Sequence, residues 1–411
     1  MHPLRVPYVG LDDTDSRRAS CTTWVATEVV REFGDWDLLC YPRLVRLNPN
    51  VPWKTRGNGA VSLRFGRGRG DPFPVGRVDG RPIQAFPRGA LGDADADFEV
   101  RLRRILEREC AFEDPTTHPG YAILGRRPGP GLYWAAVRRI VTVDEALAAA
   151  SGCGRTGGYK EGRGRIGALA AIAWRPRDRT YEILAYRDRA LWGSRRAVDE
   201  ASVVEMDRRF PSTFNNYDAE NGHVVLAPNS PCPVLLGIRG DRAADLPDAL
   251  RAVTSEPFDR WMLFETNQGT DDHLIPADGG DLVPRTSVIV EGVVAANPWT
   301  RPGGHVVFPL ARTRGDAVDC VAYEPSKQFR RVVRALRTGD RVRACGAVRE
   351  MPRAINLEKL AVLSVASGPR PPAVGWYEPP ASARRHLAKP LKRFPPALRP
   401  GLRARGTPPQ A

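Results

Sequence analysis

The sequence predicts a multidomain protein of the α+β class, and three observations predict it. At 411 residues the chain is longer than one hydrophobic core ordinarily organises. Strand-like apolar runs and helical stretches intermix through the first 280 residues. From about residue 281 the pattern changes to short alternating strands at regular spacing, with turn signals between them. These changes of character divide the chain into segments 1–150, 151–280 and 281–367 and a terminal arm, 368–411.

The elements follow in order. "RVPYVGL" at Arg5 to Leu11 predicts a short buried strand, and "CTTWVATEVVREFG" from Cys21 predicts a helix ended by Gly34. The acidic run "DDTDS" lies between them. "LLCYPRLVRL" (38–47) predicts a second strand, and "NPNVPWKTRGNGAVSLRFG" (48–66) a Pro/Gly-rich loop returning into another. A Gly/Arg/Pro-rich insert continues through about Arg88, before a helical stretch, "FEVRLRRILEREC". From Ser151, "GCGRTGGYKEGRGRIGALAAIAW" is glycine-rich and ends in an apolar run. "TYEILAYR" reads as a strand, and the helix "LPDALRAV" leads to "RWMLFETNQGTDDHL".

In 281–367, "SVIVEGVVAANPW", "GHVVFPLA", "DCVAYEP", "DRVRACGAVRE" and "NLEKLAVLSVA" read as five strands. The helix "KQFRRVVRALRTG" precedes the fourth. That is the pattern of a small OB-type barrel, a common binder of single-stranded nucleic acid, although other small barrels share it. After Gly368 the chain is proline-rich and basic, with arginine or lysine at 384, 385, 389, 392, 393, 399, 403 and 405. It reads as an arm with little core of its own.

Composition narrows the function classes. A hydrophobic fraction of 42% and nine tryptophans indicate a globular chain. A net charge of +15 favours a polyanionic partner or an anionic substrate. Only six of the 62 basic residues are lysine. Arginine pairs bidentately with phosphate, although a GC-rich genome or a thermophilic host gives the same bias. The seven cysteines are scattered without CxxC spacing, so neither a disulfide framework nor a zinc site is expected. No apolar run is long enough to span a membrane, and a soluble, cytoplasmic protein is expected.

The acidic run suggests chemistry. Carboxylates at the end of a strand, facing a helix N-terminus, suit Mg²⁺, which takes one or two carboxylates plus phosphate oxygens. Asp12, Asp13 and Asp15 would supply the metal side, with Thr22 and Thr23 where a hydroxyl could meet a phosphoryl group. A simpler reading is that one acid caps the helix and the others are solvated. Cationic partners for a triphosphate are offered by Arg43, Arg46, Lys54 and Arg56. No P-loop sequence occurs. "GRGRIG" (162–167) matches GxGxxG without a clear preceding strand, so it is weak as a dinucleotide fingerprint. It could still bring backbone close to a phosphate, with Lys160, Arg163 and Arg165 beside it.

Six stretches together resemble one family: "GLDDTDS…CTTW", "YPRLVRLNPNVPWKTRGNGAV", "GRGRIGALAAIAW", "FPSTFNNYD", "PNSPCPVLLGIRG" and "RWMLFETNQGTDDHL". It is the archaeal isoleucine-tRNA 2-agmatinylcytidine synthetases, the TiaS family. The similarity runs in order from about residue 7 to 365 and returns at "WYEPPASARRHLAKPLKR" (376–393). The resemblance implies a kinase-like ATP-binding domain, a ferredoxin-like domain, an OB-fold and a zinc ribbon. It implies an enzyme that uses ATP and agmatine to replace the carbon-2 oxygen of the wobble cytidine in an isoleucine tRNA with a CAU anticodon. ATP goes to AMP and two phosphates, and the modified anticodon reads AUA. It also implies that Asp12, Asp13 and Asp15 bind Mg²⁺ and phosphates and that Thr22 takes part in phosphoryl transfer.

Two departures stand out. The family has Gly-Met before Cys-Thr-Thr, where this chain has Ala19 and Ser20. The zinc ribbon is missing, since only "PRPPAV" separates "LAVLSVASG" from "GWYEPP" and no zinc is expected. Agmatine's cationic end calls for a carboxylate, and Asp271 and Asp272 are candidates. Single-stranded anticodon bases suit aromatics such as Trp299 and Phe308, although any one of them is more readily a core residue, with Arg384, Arg385 and Lys389 of the arm on phosphates. The alternative is a non-catalytic nucleic-acid-binding protein built on the OB-fold and the arm.

Overall fold

Val9 and Leu11 are buried on one face of the first core strand, and Gly10 lies on the other. The computed structural model describes residues 4–5, 8–90, 93–94, 96–366, 372–383 and 393. The chain divides into two units, Met1–Tyr217 with Val224–Gln268, and Asp218–His223 with Gly269–Ala411. It is a mixed α+β protein in which strand pairing closes twice into a barrel.

The main elements of the first unit begin with β1 (Tyr8–Asp12), α1 (Thr22–Glu32), β2 (Asp37–Leu39), β3 (Arg43–Arg46) and β4 (Gly59–Arg69). Next come β5 (Phe73–Val78), β6 (Arg81–Phe86), β7 (Arg88–Ala90), α2 (Ala96–Glu109) and β8 (Gly120–Leu124). They continue with α3 (Gly131–Arg138), β9 (Gly154–Gly158), α4 (Gly164–Ala173) and β10 (Thr180–Tyr186). The last are α5 (Glu200–Arg209), β11 (Val234–Gly240), α6 (Leu246–Ala252) and β12 (Arg260–Thr266).

The run 38–47, expected as one strand, is two. Cys40 takes a left-handed conformation (φ 61°) and Pro42 follows, so pairing stops after β2 and resumes at β3. The insert through Arg88 is also structured, because β4 extends to Arg69 and β5 to β7 follow it. Pairing passes from β4 to β3, β12, β5, β6 and β2 and back to β4, a closed ring. β1, β8 and β9 extend it beyond β4, and β10 and β11 extend it beyond β12. Strands from both 1–150 and 151–280 therefore enter one sheet.

The period of two decides what covers β1. Val9 and Leu11 pack with Val25 and Val29 of α1, Phe33 just after it, and Phe98 and Leu102 of α2. On the other face sits α4, whose Ala168 to Ala173 are buried among α3 and Leu124. That helix lies unusually close. A Cβ on Gly10 would stand 2.2 Å from the Ala168 carbonyl oxygen, and one on Gly120 2.0 Å from the Arg165 nitrogen. Within "GRGRIG", a Cβ on Gly164 would likewise stand 2.4 Å from the Asp12 carbonyl oxygen, so that glycine serves helix-on-sheet packing, a role its spacing in the sequence does not reveal.

The second unit contains β13 (Ser287–Val294), β14 (Val306–Arg312), β15 (Ala317–Ala322), α7 (Phe329–Ala335), β16 (Arg341–Arg349) and β17 (Ala354–Ser364). β13 pairs with β14 and β16, β14 with β15, β15 in parallel with β17, and β17 with β16. These five strands close into a barrel, with α7 between the third and fourth in chain order. Val306, Phe308 and Leu310 alternate into its core. Phe308 is fully buried, so it fills the barrel and cannot stack on a base as expected.

Candidate active site

β1 ends at Asp12, and the chain then turns through Asp13, which is left-handed (φ 55°). That turn separates the carboxylates. Asp12 is aimed toward α4, and its Oδ2 occupies the space that a Cβ on Gly167 would take, 1.8 Å away. Only glycine at 167 leaves that room. Burial pushes the Asp12 carboxyl well above the usual carboxylate range, and the charge of Asp13 adds to the rise. Asp13 itself is raised to about 7 by burial, against the Arg163 guanidinium 3.6 Å away and with Asp15 raising it further. Such shifts mark negative charge that the protein itself leaves under-compensated.

Asp15 is held differently. Its Oδ1 accepts from the backbone nitrogen of Thr22 at 2.7 Å, and the Thr22 hydroxyl donates to the same oxygen at 3.3 Å. The buried hydroxyl of Thr14 donates to Thr22 Oγ1 at 3.1 Å. Arg56 lies 3.4 Å from Asp15 and donates to the Ser20 carbonyl at 2.6 Å. One acid therefore does tie down the start of α1, as the simpler reading held, and the same contact orients the Thr22 hydroxyl. Cys21, just before it, is no rival nucleophile. Burial and the charge of Asp15 push its thiol up to about 12.

The three acids open onto one cleft, about 700 Å³ including its open mouth, whose lining includes neither Thr22 nor Arg56. Asp12, Asp13 and Asp15 form one wall, Lys54 and Arg163 stand among the lining residues, and Leu47, Ile140, Val141 and Ile166 give an apolar side. Trp53, 44% exposed, joins that lining. Ser20 Oγ and Arg56 Nη1, beside the acidic loop, are among the buried polar atoms of the molecule that make no hydrogen bond. In a folded protein such atoms point to a bound ligand or water.

The other expected residues lie elsewhere. Arg43 pairs with Glu265 at 2.9 Å and sits over the Trp174 ring, and Arg46 pairs with Glu182 at 3.2 Å. Both are engaged by acids far along the chain and do not line the cleft. Lys160 donates to the Asp114 carbonyl, and Arg165 to that of Gly162, next to the acidic loop but outside the lining. Asp271 belongs to the second unit, where it neutralises the buried Lys359 ammonium at 2.9 Å. That contact already commits its charge, against its expected role toward agmatine. Asp272 beside it is half-buried. Trp299 is 40% exposed and carries Arg301 over its ring. Arg384, Arg385 and Lys389 lie outside the described residues.

Two parts of the site are not evident from sequence reasoning alone. Thr14 carries a signal, since it sits inside the acidic run. The wall from Ala136 to Val141 carries none, because its residues are ordinary types after a helix.

The acids also bear on a divalent cation. Among the described residues no three of His, Cys, Asp or Glu converge as ligands of one ion. Asp12, Asp13 and Asp15 all line the cleft, and carboxylates are the oxygen donors Mg²⁺ takes, one or two at a time, when phosphate oxygens complete its shell.

Family models match most of this region, the TiaS TCKD domain over residues 8–158 and the TiaS FLD domain over 162–273. The chain belongs to the TiaS family. It is 36% identical to the tRNA(Ile) 2-agmatinylcytidine synthetase TiaS of Methanocaldococcus jannaschii, across 94% of this chain and 98% of that one. A crystal structure of TiaS with its isoleucine tRNA and ATP superposes with a TM-score of 0.82 at 33% identity, covering 95% of this chain and 98% of the other. A ZRD-deleted mutant of TiaS in complex with agmatine gives 0.77 at 32% identity, covering 95% and 97%. Both matched segments line the cleft in this member of the TiaS family, the TCKD match with the acids and Lys54, the FLD match with Arg163, Ile166 and Gly167.

Proposed function

We propose that this protein is an ATP-dependent tRNA-modifying ligase that attaches agmatine to carbon 2 of the wobble cytidine in an isoleucine tRNA with a CAU anticodon. ATP is consumed to AMP and two phosphates, and the product anticodon reads AUA. The observation that carries the reading is the acid-lined cleft, which lies in segments shared with a TiaS synthetase at 36% identity over nearly the whole of both chains. TiaS structures with tRNA and ATP, and with agmatine, supply the ligand classes. On this reading segment 1–150 is the kinase-like ATP-binding domain, 151–280 is ferredoxin-like, and 281–367 is the OB domain that meets RNA. The tRNA substrate implies the cytoplasm, and among the described residues no helix is long and apolar enough to cross a membrane.

The chemistry is demanding because the carbon-2 oxygen of cytosine is amide-like and leaves poorly. Phosphorylating it makes a good leaving group, and the primary amine of agmatine then forms the new C–N bond as phosphate departs. Thr22 takes part in phosphoryl transfer, its hydroxyl donating to Asp15, the group placed to receive its proton. Mg²⁺ held by Asp12 and Asp13 would supply charge neutralisation for the polyphosphate. Lys54 and Arg163 steady phosphate oxygens from the cleft lining. The cytosine must leave its stack to be reached. Asp272 remains the candidate carboxylate for the agmatine cation.

The test is agmatine incorporation by the full chain into an isoleucine tRNA transcript with ATP and Mg²⁺. Labelled agmatine should enter the tRNA, and AMP should appear only when tRNA and agmatine are both present. Tight tRNA binding with no incorporation and no ATP turnover would instead identify a non-catalytic nucleic-acid-binding protein.

A further inference from the structure

The sequence "FGRGRG" (65–70) alternates glycine and arginine, and the structure makes that alternation a strand pattern. A Cβ on Gly68 would stand 2.2 Å from the Phe86 ring, and one on Gly66 2.4 Å from the Ala90 carbonyl oxygen. Close packing thus strips one face of this end of β4 to glycine. Arg67 and Arg69 project from the other face. In the β4–β7 register Arg69 lies directly opposite Arg88, and Arg67 opposite Ala90, so three arginines share one side of a short ribbon.

All three are exposed. Arg67 lies over the Trp36 ring and within the field of Asp35, which pairs with Arg101 at 2.8 Å, and Asp37 accepts from the Gly68 nitrogen at 2.7 Å. Asp71 follows in the turn and is exposed. Like charges directly opposite on paired strands cost stability. A ribbon that sets Arg69 against Arg88 therefore carries a cost that a bridging anion removes. Guanidinium forks match phosphate oxygens bidentately, and adjacent forks on a rigid ribbon suit a polymer of phosphates better than a single ion.

We propose that the arginine ribbon of β4 and β7 is a second RNA-binding surface, gripping the sugar-phosphate backbone of the substrate tRNA outside the catalytic cleft. The surface rests on the tRNA substrate of the proposed function but uses none of the cleft residues.

The experiment measures tRNA binding by the full chain against salt concentration, for the wild type and the R69A/R88A double variant. Removing two phosphate-binding arginines should lower the slope of log affinity against log salt by roughly 1.5 to 2 and weaken binding about tenfold or more near physiological salt. The KM for tRNA should rise while kcat at saturating tRNA holds. The melting temperature should stay level or rise, because the opposed like charges are gone. R69K/R88K should recover most of the slope. Unchanged affinity and slope in the alanine variant would overturn the proposal. So would a fall in melting temperature accompanied by no recovery in the lysine variant, since the arginines would then be structural. If the wild type incorporates no agmatine while the slope still responds to the variant, the functional reading fails and the surface stands.

Discussion

At the scale of single residues, Asp13 gives the clearest pH signature. Its carboxyl is raised from the ordinary 3.8 to about 7 in the folded protein. An acid raised by folding contributes stability that is fully present below about 4 and is lost as the pH rises through about 7. Without Mg²⁺ or ATP, thermal stability should therefore fall between about pH 4 and 7 and level off above, by an amount on the order of a few kcal/mol at most. Asp13→Asn should flatten that decline, and a decline of equal size in the variant would assign it to other groups. Thr22→Val should abolish agmatine incorporation, whereas Thr22→Ser should retain part of it. Thr14→Val, which removes only the donor to Thr22 Oγ1, should lower kcat about tenfold or more with little change in the KM for ATP. That Asp12, Asp13 and Asp15 would share one place was legible in the sequence because they are near neighbours along the chain, and all three line the cleft. Arg43 and Arg46 were not legible, since an arginine's type says nothing of whether Glu265 or Glu182 waits beside it.

At the scale of elements, the strand, acidic loop and helix at the start were readable from period and capping, as were the five strands and helix of the OB barrel. The glycines were only half legible. In "GRGRIG" Gly164 and Gly167 let α4 press onto β1 and β8, while Arg163, Ile166 and Gly167 also line the cleft. In "FGRGRG" they signalled an insert, but they line the packed face of a strand. Sequence reports a missing side chain and not which neighbour uses the space. Gly167→Ala tests the first case, because the new methyl would stand 1.8 Å from Asp12 Oδ2 and 2.5 Å from its carboxyl carbon. The variant should lose about 1–3 kcal/mol of stability and most nucleotide binding together. Near-normal stability and binding would mean that Asp12 has freedom the packing denies it. In the second unit a register shift near Cys345 and Gly346 interrupts the β16–β17 ladder where Lys359 meets Asp271. Asp271→Leu should cost about 3–5 kcal/mol by taking the carboxylate away from the buried Lys359 ammonium, and Lys359→Met in the same chain should restore much of it.

At the scale of the whole molecule, the charge is unevenly spread. Residues 384–411 carry eight arginines and lysines and no acid, against a net charge of +15 for the entire chain. The cleft, by contrast, is lined by three carboxylates. A polyanion is thus attracted by the protein at large while its reacting end meets a site that needs a cation to accept it. This division makes RNA affinity and catalysis separable. Deleting residues 384–411 should weaken tRNA binding and flatten its salt dependence, because a chain that neutralises fewer phosphates releases fewer counterions on binding. ATP binding should persist, since every residue lining the cleft lies between Asp12 and Gly167. The truncation and the R69A/R88A ribbon variant share no residue, so their losses in log affinity should add when combined. If truncation changes neither affinity nor slope, the arm is a solvated tail, and the tRNA must be held by the ribbon and the OB domain. If it abolishes binding outright, the arm is the dominant grip, and the combined variant has nothing further to lose.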